Sequence, residues 1–120
     1  MNQLAHAVSI HPYFRVHAGQ MNAAKAILSE FVAITSPENG CLYYDFSING
    51  DVVFCREAYL DAQALLDHVA SISETLHRFG QITDLFRLEV HGPAAELAKL
   101  KDPFEDLEPE YFVRECGVER

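Results

Sequence analysis

Asn49-Gly50 lies between two runs of β-forming residues, Cys41 to Ile48 and Val52 to Tyr59. Asn-Gly flanked by such runs is the strongest short-range signal for an antiparallel hairpin. A mid-chain hairpin restricts what the flanking segments can build. The hairpin closes in one of two ways: a two-residue loop sets Tyr44 opposite Cys55, and a three-residue loop sets it opposite Arg56. A slip of one residue exchanges the two faces of a strand, so the choice decides which side chains point inward. In both registers Cys41 and Cys55 are offset by three or four residues, about 10 Å along the strand. That exceeds the reach of a disulfide.

The flanking segments show two periods. Residues 5–16 alternate, with Val8, Ile10, Phe14 and Val16 on one side and Ala7, Ser9, His11, Tyr13 and Arg15 on the other. Period two predicts a strand, and Pro12, which has no N–H, demands an edge position or a bulge there. From Gln20 to Thr35 the period is helical, with Ala24, Ile27, Leu28, Phe31 and Ile34 on one stripe. Pro37 and Gly40 end that helix. After the hairpin, Asp61 caps a second helix with Ala62, Leu65, Leu66 and Val69 inward. Ser71-Ile72-Ser73-Glu74 has the form of a capping box, which predicts a break and restart. Ile72, Leu76 and Phe79 then share a side, and Gly80 stops the helix. Residues 82–91 alternate again, with Ile82, Phe86, Leu88 and Val90 on one side and Leu85 on the other. Gly92-Pro93, a short helix at about Ala94 to Leu100 and a Pro- and Glu-rich tail complete the chain.

The order is β-α-β-β-α-β, a ferredoxin-like α+β sandwich. The 120 residues fit a single domain, with its core at about 5–91 and a C-terminal helix and tail at 92–120. Both faces of the predicted sheet carry bulk: Leu42, Tyr44 and Phe46 on one, Tyr43 and Phe54 on the other. With no further long segment to cover the second face, a second copy of the chain is the expected cover, making a homodimer.

Charge and composition exclude several classes. Eighteen acidic against nine basic residues give a net charge of −9, which repels phosphate backbones and disfavours nucleic acid. No apolar run approaches the roughly 20 residues of a membrane span. Met1 to His6 lack the basic start and apolar stretch of a signal peptide. The three cysteines have no C-x-x-C spacing, and their odd number fits a reducing compartment, so a cytoplasmic address is expected. The six histidines show no i, i+2 or i, i+4 pairing, so no metal is expected.

Four polar or charged residues stand out beside the aromatics. His68 lies roughly 110° from the centre of its helix's apolar stripe, at the margin of the buried face, where an imidazole can move a proton near neutral pH. At that margin its removal should leave no large cavity. Glu57 is a candidate base, or else half of an ion pair with Arg56 or Arg87. His11, on the Ser9/Tyr13 side of the first strand, is a candidate ligand-orienting group. Arg56 is placed to steady an anion, and Tyr43 and Tyr44 to stack on an aromatic ring.

Pro37-Glu38-Asn39-Gly40-Cys41-Leu42-Tyr43-Tyr44 resembles the E-x-G-C-x-x-Y approach to the second strand in antibiotic biosynthesis monooxygenase (ABM) domains. Phe54 to Tyr59 resembles that family's F-x-x-E-x-W third strand, and Asp61 to His68 its D-x-x-A-x-x-x-H helix. Arg15 to Gly19 resembles the Gly-marked end of its first strand. Together these cover about residues 7–91. The resemblance implies a dimeric α+β barrel with a pocket between sheet and helices in each subunit. It implies a cofactor-independent monooxygenase acting on a small aromatic or quinol-like molecule. His68 or Glu57 would be the base, and His11, Tyr44 and Arg56 would contact substrate. An isomerase or decarboxylase on the same scaffold, or a non-catalytic small-molecule-binding protein, are the other expectations. The chain has no Trp, and Pro12 stands where the haem-degrading branch has an Asn, so no haem cofactor is expected.

Overall fold

The computed structural model describes residues 4–119. In chain order its elements are β1 Val8–Val16, α1 Met21–Thr35, β2 Cys41–Asn49, β3 Val52–Tyr59, α2 Ala62–Ser71, α3 Ser73–Gly80 and β4 Thr83–Gly92. A short α4 (Ala94–Ala98), a 3-10 turn at Glu105–Leu107 and a fifth strand β5 (Glu110–Val113) follow. The sheet order is β2-β3-β1-β4-β5, with β5 parallel to β4 and the other neighbours antiparallel. The protein is therefore an α+β ferredoxin-like fold with a five-stranded mixed sheet and four helices. The Pro- and Glu-rich tail supplies a fifth strand beyond the four expected from the sequence. Four residues are too few for alternation to show in sequence.

The helices cover one face of the sheet. Val8, Ile10, Phe14 and Val16 of β1 are buried there, as the alternation predicted. Ala24, Leu28 and Phe31 of α1 and Phe79 of α3 pack with Phe14 and Val53. Phe79 meets Phe14 and Phe31 edge-on, at 4.9 and 5.5 Å between centroids. Fully burying one such ring contributes about 1.5–3 kcal/mol. A second cluster joins Ala62 and Leu65 of α2 to Val8, Tyr59 and Val90, and to Leu97, Leu100 and Phe104 of the C-terminal segment.

Two carboxylates hold the start of α2. Asp61 Oδ1 accepts from the backbone N–H of Ala64 at 2.8 Å, as an N-cap. Glu96 Oε1, from the buried side of α4, accepts from the N–H of Ala62 at 3.0 Å. Both negative charges sit where the helix dipole favours them. The helix breaks at Ile72, but the expected capping box does not form. Ile72 is the N-cap of α3 without a side-chain bond, because the Ser71 hydroxyl turns back toward Glu38 and the carbonyl of His68.

Two registers depart from expectation. Gly50 takes φ +61° as the first of two loop residues, Gly50-Asp51, so Asn49 stays in the ladder opposite Val52. Glycine at that loop position with positive φ is the pattern of II′ turns. Tyr44 therefore faces Glu57, neither Cys55 nor Arg56. Cys41 lies opposite Tyr59 and Cys55 opposite Phe46, so the two thiols are four residues apart. In β4 an extra residue enters opposite Tyr13/Phe14. This bulge turns Phe86 outward and leaves Leu85, not Phe86, on the helix side with Leu88. Pro12 occupies a central strand: the ladder to β3 has no pair at His11 or Pro12 and resumes at Tyr13. The bulge toward β4 falls beside it.

Candidate active site

A cavity of about 270 Å³ lies between the sheet and the helices. Its walls are mostly apolar, with Phe14, Phe31, Leu65 and Leu88 from the core and Phe104 and Leu107 from the C-terminal segment. The polar groups gather where Tyr44, Glu57 and His68 meet. Thr83, also in the wall, has its hydroxyl bonded to Phe79 O at 2.8 Å.

The hairpin register sets Tyr44 and Glu57 side by side on the helix face. Glu57 is 6% exposed, and the Tyr59 hydroxyl donates to its Oε1 at 2.5 Å. Above them, α2 turns His68 into the gap between two tyrosines, its ring 5.1 Å from that of Tyr44 and 5.0 Å from that of Tyr59. The imidazole is 1% exposed, so it is enclosed and not at a rim. The buried residues of α2 are Ala62, Leu65 and His68, and the expected inward pair Leu66 and Val69 is only half-buried.

Each ring nitrogen of His68 has a carboxylate before it. Nδ1 is 2.8 Å from Glu38 Oε1. An ionised carboxylate only accepts, so Nδ1 carries the hydrogen and Nε2 presents its lone pair. Nε2 lies 3.6 Å from Glu57 Oε1, too far for a hydrogen bond, and has no partner. Burial holds the His68 pKa below its ordinary 6.5 against the opposing pull of Glu38. Burial also pushes the Glu57 carboxyl up to about 7, although the Tyr59 and Cys55 hydrogen bonds draw it down. Near neutral pH the site therefore holds a neutral imidazole with a bare Nε2 beside a carboxyl that exchanges its proton readily.

Glu38 was not among the sequence candidates, although it stands inside the segment resembling E-x-G-C-x-x-Y. It is partly exposed, and its Oε2 lies 2.6 Å from the Ser71 hydroxyl. Gly40 brings it there. A Cβ on Gly40 would sit 2.7 Å from the Cβ of Ala64, so only glycine allows the loop so close to α2. Neither atom has a rotamer with which to escape. Gly40→Ala is expected to cost about 1–3 kcal/mol of stability by overpacking. A thermal melt unchanged from wild type would show that the loop moves freely.

The other candidates lie elsewhere. His11 and Arg56 are on the opposite face of the sheet. Ser9 Oγ is 2.8 Å from His11 Nε2, and the His11 ring packs on Phe54 and His91. Arg56 pairs with Asp45 at 3.5 Å and lies over the Tyr43 ring. The expected ion pair of Glu57 with Arg56 or Arg87 does not form, since Arg87 pairs with Glu89 and Glu110. The register that faces Tyr44 with Glu57 turns Arg56 outward. Among the described residues no Lys or Arg lines the cavity, and no three His, Cys, Asp or Glu side chains form a metal-sized group.

The family model for antibiotic biosynthesis monooxygenase matches residues 7–79. Among solved structures, MupZ from Pseudomonas fluorescens is 40% identical, with a TM-score of 0.92 over 96% of this chain and 95% of that one. Rv0793 from Mycobacterium tuberculosis is 23% identical, with a TM-score of 0.65 over 72% of this chain and 94% of that one. SnoaB from Streptomyces nogalater, described as a cofactor-independent oxygenase, is 12% identical, with a TM-score of 0.61 over 72% of this chain and 89% of that one. No curated protein matches the chain.

Proposed function

This chain belongs to the antibiotic biosynthesis monooxygenase family, and from that premise we propose that it is an acid–base enzyme acting on a small, largely apolar molecule without a cofactor. The carrying observation is the buried, unpartnered Nε2 of His68, 3.6 Å from Glu57, on a side chain that lines the cavity. His68 Nε2 takes a proton from the substrate. The imidazolium so formed keeps its Nδ1–H on Glu38, whose carboxylate balances the charge. Glu57, when protonated, gives its proton to a substrate oxygen and is steadied as an anion by the Tyr59 hydroxyl. A base and an acid on one substrate favour a reaction in which charge does not accumulate, such as an isomerisation. The absence of Lys and Arg from the described lining supports this, because a long-lived substrate anion would have only the new imidazolium opposite it.

The second reading is a monooxygenase, as in the family's name and in the oxygenase SnoaB. His68 would again take the proton. The electron-rich anion would then react with dioxygen, a substrate CH2 becoming C=O and the second oxygen atom leaving as water. Quinols, small polyphenols and cyclic ketones incubated in D2O, with and without oxygen, separate the readings by mass spectrometry. Deuterium entering without oxygen supports the acid–base reading. A CH2-to-carbonyl gain that requires oxygen supports the monooxygenase. Turnover that persists in His68→Gln would end both.

We further propose that the enzyme is a homodimer in the cytoplasm, where its three free thiols would stay reduced. The outer sheet face carries Tyr13 and Phe54, with Tyr43, Phe86 and Phe112 each more than 40% exposed. Such a face favours cover by a second sheet. Light scattering at micromolar concentration is expected to give twice the 13.5 kDa chain mass. A clean monomer would remove the barrel. Among the described residues no helix is long and apolar enough to cross a membrane.

A further inference from the structure

We propose that His68 is the proton passage between the buried Glu57 and solvent: it hands the proton on to Glu38, and its own ring hydrogen moves from Nδ1 to Nε2 as it does so. The inference deepens the acid–base reading and rests on it only for the choice of site, since no substrate takes part. The imidazole stands in a wall between two spaces. In front of it is the apolar cavity, where Glu57 and His68 are both in the lining. Behind it is a separate cleft of about 250 Å³ between the Glu38 loop and α2. Asn39, Asp67 and Ser71 in the cleft wall are exposed, so this space opens to solvent. Nδ1 faces Glu38 Oε1 at 2.8 Å, and Glu38 Oε2 accepts from the exposed Ser71 hydroxyl at 2.6 Å.

Nε2 is on the sealed side. It is buried without a partner and offers no surface to a water molecule, and Glu57 Oε1 stands 3.6 Å from it. A proton crossing that gap therefore goes directly from one group to the other. A contraction of about 0.7 Å brings the two to hydrogen-bond length. While Glu57 is protonated, its O–H faces the Nε2 lone pair and the ring hydrogen stays on the Glu38 side. Once Glu57 ionises, that lone pair faces a buried carboxylate. Repulsion of this kind costs most where water is excluded. The Glu38 side chain is 21% exposed and keeps Ser71 and solvent, so it loses the ring hydrogen at lower cost. The hydrogen accordingly follows the buried charge. Glu57 gives its proton to Nε2, Nδ1 gives one to Glu38, and Glu38 releases it to solvent. One proton has left, Glu57 carries the negative charge, and a neutral ring has changed tautomer. Among the neighbours, Cys41 and Tyr44 of β2 and Cys55 and Tyr59 of β3 are pushed upward by burial and stay neutral. Asp67 of α2 accepts from the Gln63 amide at 2.9 Å. A bare Nε2, the base of the acid–base reading, thus exists only while Glu57 holds its proton.

Nitrogen NMR of the full chain, isotope-labelled in histidine, reads the tautomer directly, with the His68 signals assigned by their loss in His68→Gln. In the wild type the ring hydrogen is expected on Nδ1 at about pH 6 and on Nε2 at about pH 8, on either side of the Glu57 transition near 7. In Glu57→Gln, which has no proton to give, it is expected on Nδ1 at both. A wild-type hydrogen that stays on Nδ1 would overturn the proposal. The part played by Glu38 is read as a rate. After a jump from about pH 6 to about pH 8, loss of the Glu57 carboxylic C=O band in the infrared follows its ionisation. Glu38→Gln keeps an acceptor for Nδ1 but cannot carry a proton, and is expected to slow that loss about 10-fold or more. Replacing a merely structural Glu38 would loosen the loop and leave the rate equal or faster, and either result would remove Glu38 from the passage. The tautomer measurement at two pH values needs only a folded wild type, so the proposal stays open to refutation if a variant folds poorly. A fixed tautomer would remove the passage and leave the acid–base reading in place. Turnover that persists in His68→Gln would remove that reading and leave the passage.

Discussion

His68→Gln should lower turnover by about 10²- to 10⁴-fold, the usual contribution of a positioned general base, while melting close to wild type. Glutamine is the replacement to use. The imidazole is 1% exposed and wedged between two tyrosines, so alanine would leave a buried void and confuse lost chemistry with lost packing. The rim position inferred from the stripe angle would have tolerated alanine; the observed enclosure does not. Leu65→Ala, one turn earlier and fully buried, is the contrasting change. It should cost about 2–5 kcal/mol yet keep turnover in the fraction that stays folded. Equal loss of stability in both variants, with His68→Gln still turning over in its folded fraction, would make His68 a structural residue. Glu38→Gln adds a finer control. It should leave Nδ1 without its carboxylate and shift the acid limb of the pH–rate profile downward, because a charge that favours the imidazolium is gone.

The second large effect is on stability. Glu57 titrates at about 7 in the folded chain against an ordinary 4.5. Its proton is bound more tightly in the folded than in the unfolded state. The associated stability is therefore fully present below about pH 4.5 and is lost as pH rises through about 7. At about 1.4 kcal/mol for each pH unit, the loss is about 3 kcal/mol by pH 9. Glu57→Gln keeps the shape and an acceptor for the Tyr59 hydroxyl but cannot ionise. Urea melts between about pH 5 and 9 should show a wild-type loss that accrues up to about pH 7 and levels above it, and that loss should be absent from the variant. His68 acts in the opposite direction. With its folded pKa below 6.5, its contribution is present above 6.5 and lost as pH falls through the folded value. Parallel slopes for wild type and Glu57→Gln between about pH 5 and 7 would mean that Glu57 is not the buried acid described.

The element order was legible because each segment carries its own period: alternation in residues 5–16, a helical stripe from Ala24 to Ile34, Asn-Gly between two β-rich runs. The register was not. It turned on whether Asn49 belongs to the loop or the strand, a difference of one residue that period and propensity do not weigh. A three-residue loop would have put Arg56 on the inner face with Tyr44, whereas either two-residue loop keeps Cys55 and Glu57 there; the observed one brings Glu57 directly opposite Tyr44. The rim assignment of His68 failed for a related reason. A stripe defined by apolar residues places a polar one outside by construction, and only the Glu38 loop, brought in over Gly40, makes burial of an imidazole tolerable there. The bulge at Phe86 follows from pairing with a strand that contains Pro12, and such non-local pairing leaves no mark in either segment alone.

The C-terminal segment has a consequence for how the family diversifies. β1 through β4 span 85 of the 120 residues, and the part shared with the family model is residues 7–79. His68, Glu57, Glu38 and Tyr44 all lie in that shared part, whereas Phe104 and Leu107 lie after it. The proposed acid–base groups and part of the cavity wall thus have separate genetic addresses, joined at Gly92-Pro93 and fastened in space by Glu96 on the first turn of α2. A lineage can recast the mould by recombination behind that seam without disturbing the chemistry. For the same reason a library confined to residues 94–113 is where a redesign of selectivity should begin.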